Sequence, residues 1–188
     1  MTLNRPPRAI TVARVQAIEI TVDWRWAPVM FLGTWLLAQN VLPARFPAWE
    51  ISTSWLTSAA AIMAGEAALL LHELSHAVLA RRKGQRVRRI VFHGFHAHTL
   101  VDKGTPIPRD EVLIALVGPG LNLALAVAAQ AMRIALGTQG PVDVVLLMFG
   151  LGNAATAALS LLPLGASDGA RALSALRSSG CRSGPGSE

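Results

Sequence analysis

The residues with the clearest chemical potential form one short run, His72-Glu73-Leu74-Ser75-His76. On a helix, positions i and i+4 share a face, so both imidazoles can reach a single metal ion. Glu73 sits next to the first histidine, beside the pair and not within it. A general base for a water activated at the ion belongs there. The run lies inside a long apolar block, roughly 6–12 Å from its nearer end at about 1.5 Å per residue. Ionisable groups at such depth in a membrane are costly and mark functional sites.

A catalytic zinc has three protein ligands and one open position. The third must come from elsewhere in the chain, and Asp168 is the best-placed carboxylate. It follows the last apolar block in Leu161-Leu162-Pro163-Leu164-Gly165-Ala166-Ser167-Asp168-Gly169. Pro163 and Gly165 break the helix there and allow the chain to fold back. The same residue also suits the N-cap of a short helix over 169–177, and composition alone divides the two roles evenly. His93, His96 and His98 read as polar residues of a juxtamembrane loop, with a second metal site or a proton relay as the alternatives. Glu66 sits mid-block, suited to pair with Asn122 or Asn153, to line a water path, or to face a bundle interior as a neutral acid. Asn122 and Asn153 read as interhelical hydrogen-bonders. Gly150 and Gly152 read as close-packing positions, and Trp24, Trp26, Trp49 and Trp55 as interfacial anchors.

The elements that must position these groups are membrane helices. The chain has 188 residues, 52% apolar and 15% charged, against about 25% charged in ordinary soluble domains. Mean hydropathy is +0.44. The composition excludes a disordered chain. A single cysteine, Cys181, excludes a disulfide scaffold. Four blocks approach the roughly 17–25 apolar residues a span requires. They cover about 26–42, 55–80, 112–136 and 142–162, with Gly118-Pro119-Gly120 interrupting the third. Of the 17 Lys and Arg residues, 15 fall before the first block, between the second and third, or after the fourth. This bias puts both termini in the cytoplasm. The run from Arg81 to Arg89 is then a topology determinant facing anionic lipid, and no soluble domain offers a nucleic-acid surface. Residues 86–105 are β-prone and predict a hairpin returning at Thr99–Val101. Ala17 to Val22 is a further candidate strand. The fold class is therefore an all-α polytopic membrane protein with about four transmembrane helices and a small cytoplasmic-side β-hairpin or sheet. Its core is expected over 1–177, and 178–188 is expected to be a disordered Gly/Ser-rich tail.

HELSH within a span, a later Gly118-Pro119-x-x-Asn122 and a final Pro163-x-x-x-x-Asp168-Gly169 together resemble the site-2 protease family of intramembrane zinc metalloproteases, in a short bacterial form. The likeness covers about residues 10–177. It implies that His72, His76 and Asp168 hold one Zn2+ per chain and that Glu73 is the catalytic glutamate. It also matches Asn122 and Asn153 to family asparagines and places Gly94 on a strand beside the substrate cleft. The implied activity is hydrolysis of peptide bonds in or near the transmembrane segments of membrane protein substrates. The setting is a multi-pass protein of a bacterial cell membrane, with lipid and a transmembrane substrate as partners and no nucleic acid. The family's last motif reads Asn-x-x-Pro-x-x-Pro-Leu-Asp-Gly-Gly. Here Ser160, Ala166, Ser167 and Ala170 depart from it, while Pro163, Asp168, Gly169 and Arg171 match. The alternative is a weak or inactive family member that binds metal or partners in the membrane. A natural minimal form and a truncated product both fit the short end of the chain.

Overall fold

The computed structural model describes residues 9–15, 18–93, 96–102, 107–137 and 139–180. Two strands come first, β1 (Ala9–Val15) and β2 (Ile18–Asp23). A helical stretch follows as α1 (Trp26–Leu36), a π-turn over Leu37–Val41, and α2 (Leu42–Arg45). Then come α3 (Ile51–Arg82), the hairpin β3 (Arg86–His93) and β4 (His96–Asp102), and the helices α4 (Pro108–Leu136), α5 (Pro141–Leu161) and α6 (Asp168–Gly180).

Among the described residues, α3, α4 and α5 are each long and apolar enough to cross a membrane. The first expected span is helical over 26–45, but its hydrogen-bond ladder changes midway, so it does not stand as one long α-helix. The cause is Pro43, which has no N–H to give the carbonyl four residues back. The chain widens one turn ahead of it, and the Leu42 N–H donates to the Leu37 carbonyl in a π-type bond. The other spans fall within a few residues of the expected bounds. Helix α6 runs on to Gly180, past the expected start of a disordered tail at Ser178.

The helix packing has the polarity expected in lipid. The buried face of α3 carries small or polar residues: Ser54, Ser58, Ala61, Ala68, His72, His76 and Ala80. Large side chains such as Leu56, Met63 and Leu71 point outward and are exposed. Small residues let neighbouring backbones approach closely where no hydrophobic driving force holds helices together. A Cβ at Gly150 of α5 would stand 3.5 Å from the Ala126 carbonyl oxygen and the Ala129 Cβ of α4, in ordinary contact, whereas one at Gly152 would face open space.

The strands form one sheet in the order β1-β2-β3-β4. The pairs β1–β2 and β3–β4 are antiparallel, and β2–β3 is parallel. The predicted hairpin is present, with Ile90 opposite Thr99. The predicted strand at 17–22 is β2. The partner strand β1 and the parallel join were not anticipated, because nothing local in a sequence announces pairing across a long intervening helix. Ile18, Ile20, Val87, Ile90 and Phe92 of the sheet pack on Ala77 and Ala80 of α3 and on Ile114 of α4. The sheet thus covers the end of α3 that carries the HELSH run. Lys83 and Asp110, 2.7 Å apart, close the base of the hairpin insertion between α3 and α4.

Candidate metal centre

Helix α3 presents His72 and His76 on its buried stripe, one turn apart, with their Nε2 atoms 3.1 Å from each other. Helix α6 brings Asp168 to the same point. Its Oδ2 lies 3.3 Å from both Nε2 atoms. Zinc bonds to nitrogen and oxygen are about 2.0–2.2 Å long, and a tetrahedral centre then spaces its donors by about 3.3 Å. The three atoms already stand at that spacing, so the group fits a metal ion.

The ring orientation of His76 is set from behind. Its Nδ1 lies 2.6 Å from the Ile114 carbonyl of α4. A carbonyl can only accept, so Nδ1 carries a proton and Nε2 is the atom turned to the site, able to bond Asp168 when protonated or a metal when the ring is neutral. Gly118 lies against the histidine pair. A Cβ there would meet His76 Nε2 at 2.3 Å and His72 Cε1 at 2.8 Å. The glycine leaves the space that the two rings occupy.

Both alternatives for Asp168 concern the start of α6, and the capping role falls to its neighbour. The Ala170 N–H donates to Ser167 Oγ at 3.2 Å. The Leu164 N–H donates to the same oxygen at 3.2 Å, and the Ser167 hydroxyl donates to the Leu162 carbonyl. Ser167 is the cap, which leaves the Asp168 carboxylate to the histidines. Burial pushes the Asp168 carboxyl up, but hydrogen bonds to His72 and His76 outweigh it and hold the group well below the usual carboxylate range. It is therefore ionised at neutral pH, the form a metal requires. Behind it, Arg171 donates from Nε and Nη2 to Glu111 Oε1 of α4, at 3.2 and 2.7 Å. Arg171 Nη1 stands 3.7 Å from Asp168 Oδ1. Gly169 permits the docking, since a Cβ there would sit 1.9 Å from the Leu161 carbonyl oxygen.

Loss of an N-cap costs about 1 kcal/mol. Ser167→Ala is therefore expected to weaken metal affinity by about fivefold. Chelator competition measures this, with Ser167→Asp restoring the affinity. An unchanged affinity in Ser167→Ala would show that the cap does not help place Asp168.

Glu73 is 8% exposed and adjoins the triad without belonging to it. The Thr99 hydroxyl on β4 donates to its Oε2 at 2.7 Å. Sequence reasoning missed this partner, along with Ser167 and the Ile114 carbonyl.

No family model matches the chain. Two proteins named "Putative zinc metalloprotease" do. Rip3 of Mycobacterium tuberculosis is 32% identical over 166 residues, which is 87% of this chain and 42% of Rip3. The protein sll0528 of Synechocystis is 27% identical over 158 residues, 82% of this chain and 40% of that protein. The chain thus spans about two fifths of the length of these curated relatives. In fold it is similar to the site-2 protease of Methanocaldococcus jannaschii, with a TM-score of 0.65 and 18% identity, over 91% of this chain and 72% of that one. The chain shares the fold of that site-2 protease.

The other expected residues fall differently. Asn122 and Asn153 are buried, at 1% and 3% exposure. Asn153 donates to the Phe149 carbonyl of its own helix at 2.8 Å, not across helices. The Oδ1 atoms of both asparagines lack a hydrogen-bond partner among the described residues. Gly94 lies outside the described residues. Glu66 pairs with neither asparagine. Trp26 Nε1–H donates to Glu66 Oε2 at 2.8 Å, so this tryptophan ties α1 to α3. Ser160 hydrogen-bonds only within α5, to the Ala157 carbonyl at 3.2 Å.

Proposed function

We propose that the chain is an intramembrane zinc metalloprotease that hydrolyses peptide bonds in or near the transmembrane segments of membrane proteins. The observation that carries this reading is the donor triangle of His72, His76 and Asp168 at tetrahedral spacing, with a carboxylate beside it that is not used as a ligand. These three residues would hold one zinc ion per chain. Bound there, zinc would polarise the scissile carbonyl and make water a stronger acid. Glu73 takes a proton from the attacking water as its oxygen bonds to the carbonyl carbon. The same carboxyl then gives that proton to the amine nitrogen as the C–N bond breaks. A helical substrate hides its carbonyls in backbone hydrogen bonds, so it unwinds locally before it reacts. Water enters from the sheet side, because lipid cannot supply it. The basic segments flanking the spans support a cell-membrane setting with both termini cytoplasmic. The substrate class is then a single-span membrane protein.

The test is cleavage by purified protein reconstituted with a single-span substrate. Bound zinc is expected near one ion per chain. A chelator is expected to abolish cleavage and added zinc to restore it, with the cut mapped by mass within or beside the span. Cleavage that survives complete removal of the metal, or a zinc-loaded protein that cuts nothing, would overturn the reading.

A further inference from the structure

The contact between Thr99 and Glu73 joins residues 26 positions apart, on two elements of different kind. Glu73 belongs to the buried turn of α3 that bears the histidines. Thr99 lies in β4, which stands at the edge of the sheet. Its hydroxyl is 2.7 Å from Glu73 Oε2 and 3.4 Å from the main-chain carbonyl of the same residue. A hydroxyl has one proton to give, and the shorter contact to the carboxylate takes it. Among the described residues this is the hydrogen bond that the Glu73 side chain receives. A buried carboxylate without such a donor loses both its fixed rotamer and part of its compensation for leaving water.

We infer that Thr99 is a positioning residue for Glu73: its hydroxyl fixes one carboxylate oxygen, turns the other to the reacting water, and ties the edge strand β4 to the catalytic group. Thr99 touches neither the metal group nor, in this arrangement, the reacting atoms. It acts through Glu73. The tie is mechanical as well as electrostatic. The register that sets Thr99 opposite Ile90 also fixes its height along α3, so a one-residue slip of β4 would turn the hydroxyl to the opposite face of the sheet. Pairing of an extended chain along β4 would hold that register, and the carboxylate would be set when the edge is occupied.

The inference rests on the protease reading, and the experiment separates the two. Cleavage of a single-span substrate is measured for wild type, Thr99→Val and Thr99→Ser, with zinc content determined for each. Valine keeps the shape and removes the hydroxyl. Thr99→Val is expected to lower kcat by about 10- to 100-fold, the loss of one hydrogen bond to a charged group, with KM and zinc content near wild type. Thr99→Ser is expected to recover most of kcat. Wild-type cleavage with an unchanged kcat in Thr99→Val would overturn the inference and leave the protease reading standing. A fall in zinc content, or an equal loss in valine and serine, would assign Thr99 a packing role and overturn it too. No cleavage by zinc-loaded wild type would reject the protease reading itself.

Discussion

Glu73→Gln is expected to bind zinc as wild type does and to lose cleavage by about 10²- to 10⁴-fold, the usual contribution of a positioned acid–base group. The argument is one of geometry. The group of side chains that could hold a metal is His72, His76 and Asp168, and Glu73 is not among them. Glutamine has nearly the same shape, and its amide oxygen can accept the Thr99 hydroxyl as the carboxylate does. What it lacks is the basicity to take a proton from water. Burying a neutral amide also costs less than burying a carboxylate, so the variant should unfold no more easily than wild type. Zinc stoichiometry, thermal unfolding and cleavage on one preparation give the three readouts. Equal cleavage by Glu73→Gln and wild type would refute the assigned role.

Gly118→Ala should have a comparably large effect by a different route. In an exposed helix interior this change stabilises by about 1 kcal/mol, because glycine is a poor helix former. Here the added methyl would lie 2.3 Å from His76 Nε2 and 2.7 Å from His76 Cε1. The ring must turn or α4 must back away from α3, and either movement spoils the 3.1 Å and 3.3 Å spacings. Zinc affinity is expected to fall at least 10- to 100-fold, the range seen when groups that orient a ligand are disturbed. Gly120→Ala is the control, since a Cβ there meets nothing within 4 Å. Wild-type zinc affinity in Gly118→Ala would show that the rings have room to move without losing the ion.

The HELSH run was legible because its geometry is local: a spacing of four residues becomes one helix face whatever else the chain does. Asp168 was half legible. Its distance in sequence said only that it returns to the correct side of the membrane, and its type suited a cap as well as a ligand. The neighbour Ser167 takes the cap, and it does so through hydrogen bonds to Leu162, Leu164 and Ala170 that no periodicity encodes. The hairpin could be read from its β-branched residues, but not the one-residue register that sets Thr99 under Glu73. The partner of Glu66 was not legible for a related reason. Trp26 lies 40 residues earlier, and an interfacial tryptophan looks the same in sequence whether its N–H faces headgroups or a carboxylate. The break in the first helical stretch was foreshadowed only by Pro43. The apolar content that marks a span does not report which hydrogen-bond ladder it carries.

The parallel join of β2 to β3 has a consequence for biogenesis. Glu19 of β2 meets Arg89 of β3, 70 positions later in the chain, at 3.1 Å. At a synthesis rate of about 5–20 residues per second, β2 must wait several seconds for its neighbour to leave the ribosome. Throughout that interval the amino-terminal ribbon carries an unmatched border, while α1 and α3 are being threaded into the bilayer. The sheet can be completed only after α3 has been made, so the order of translation keeps the histidine-bearing helix ahead of β3 and β4.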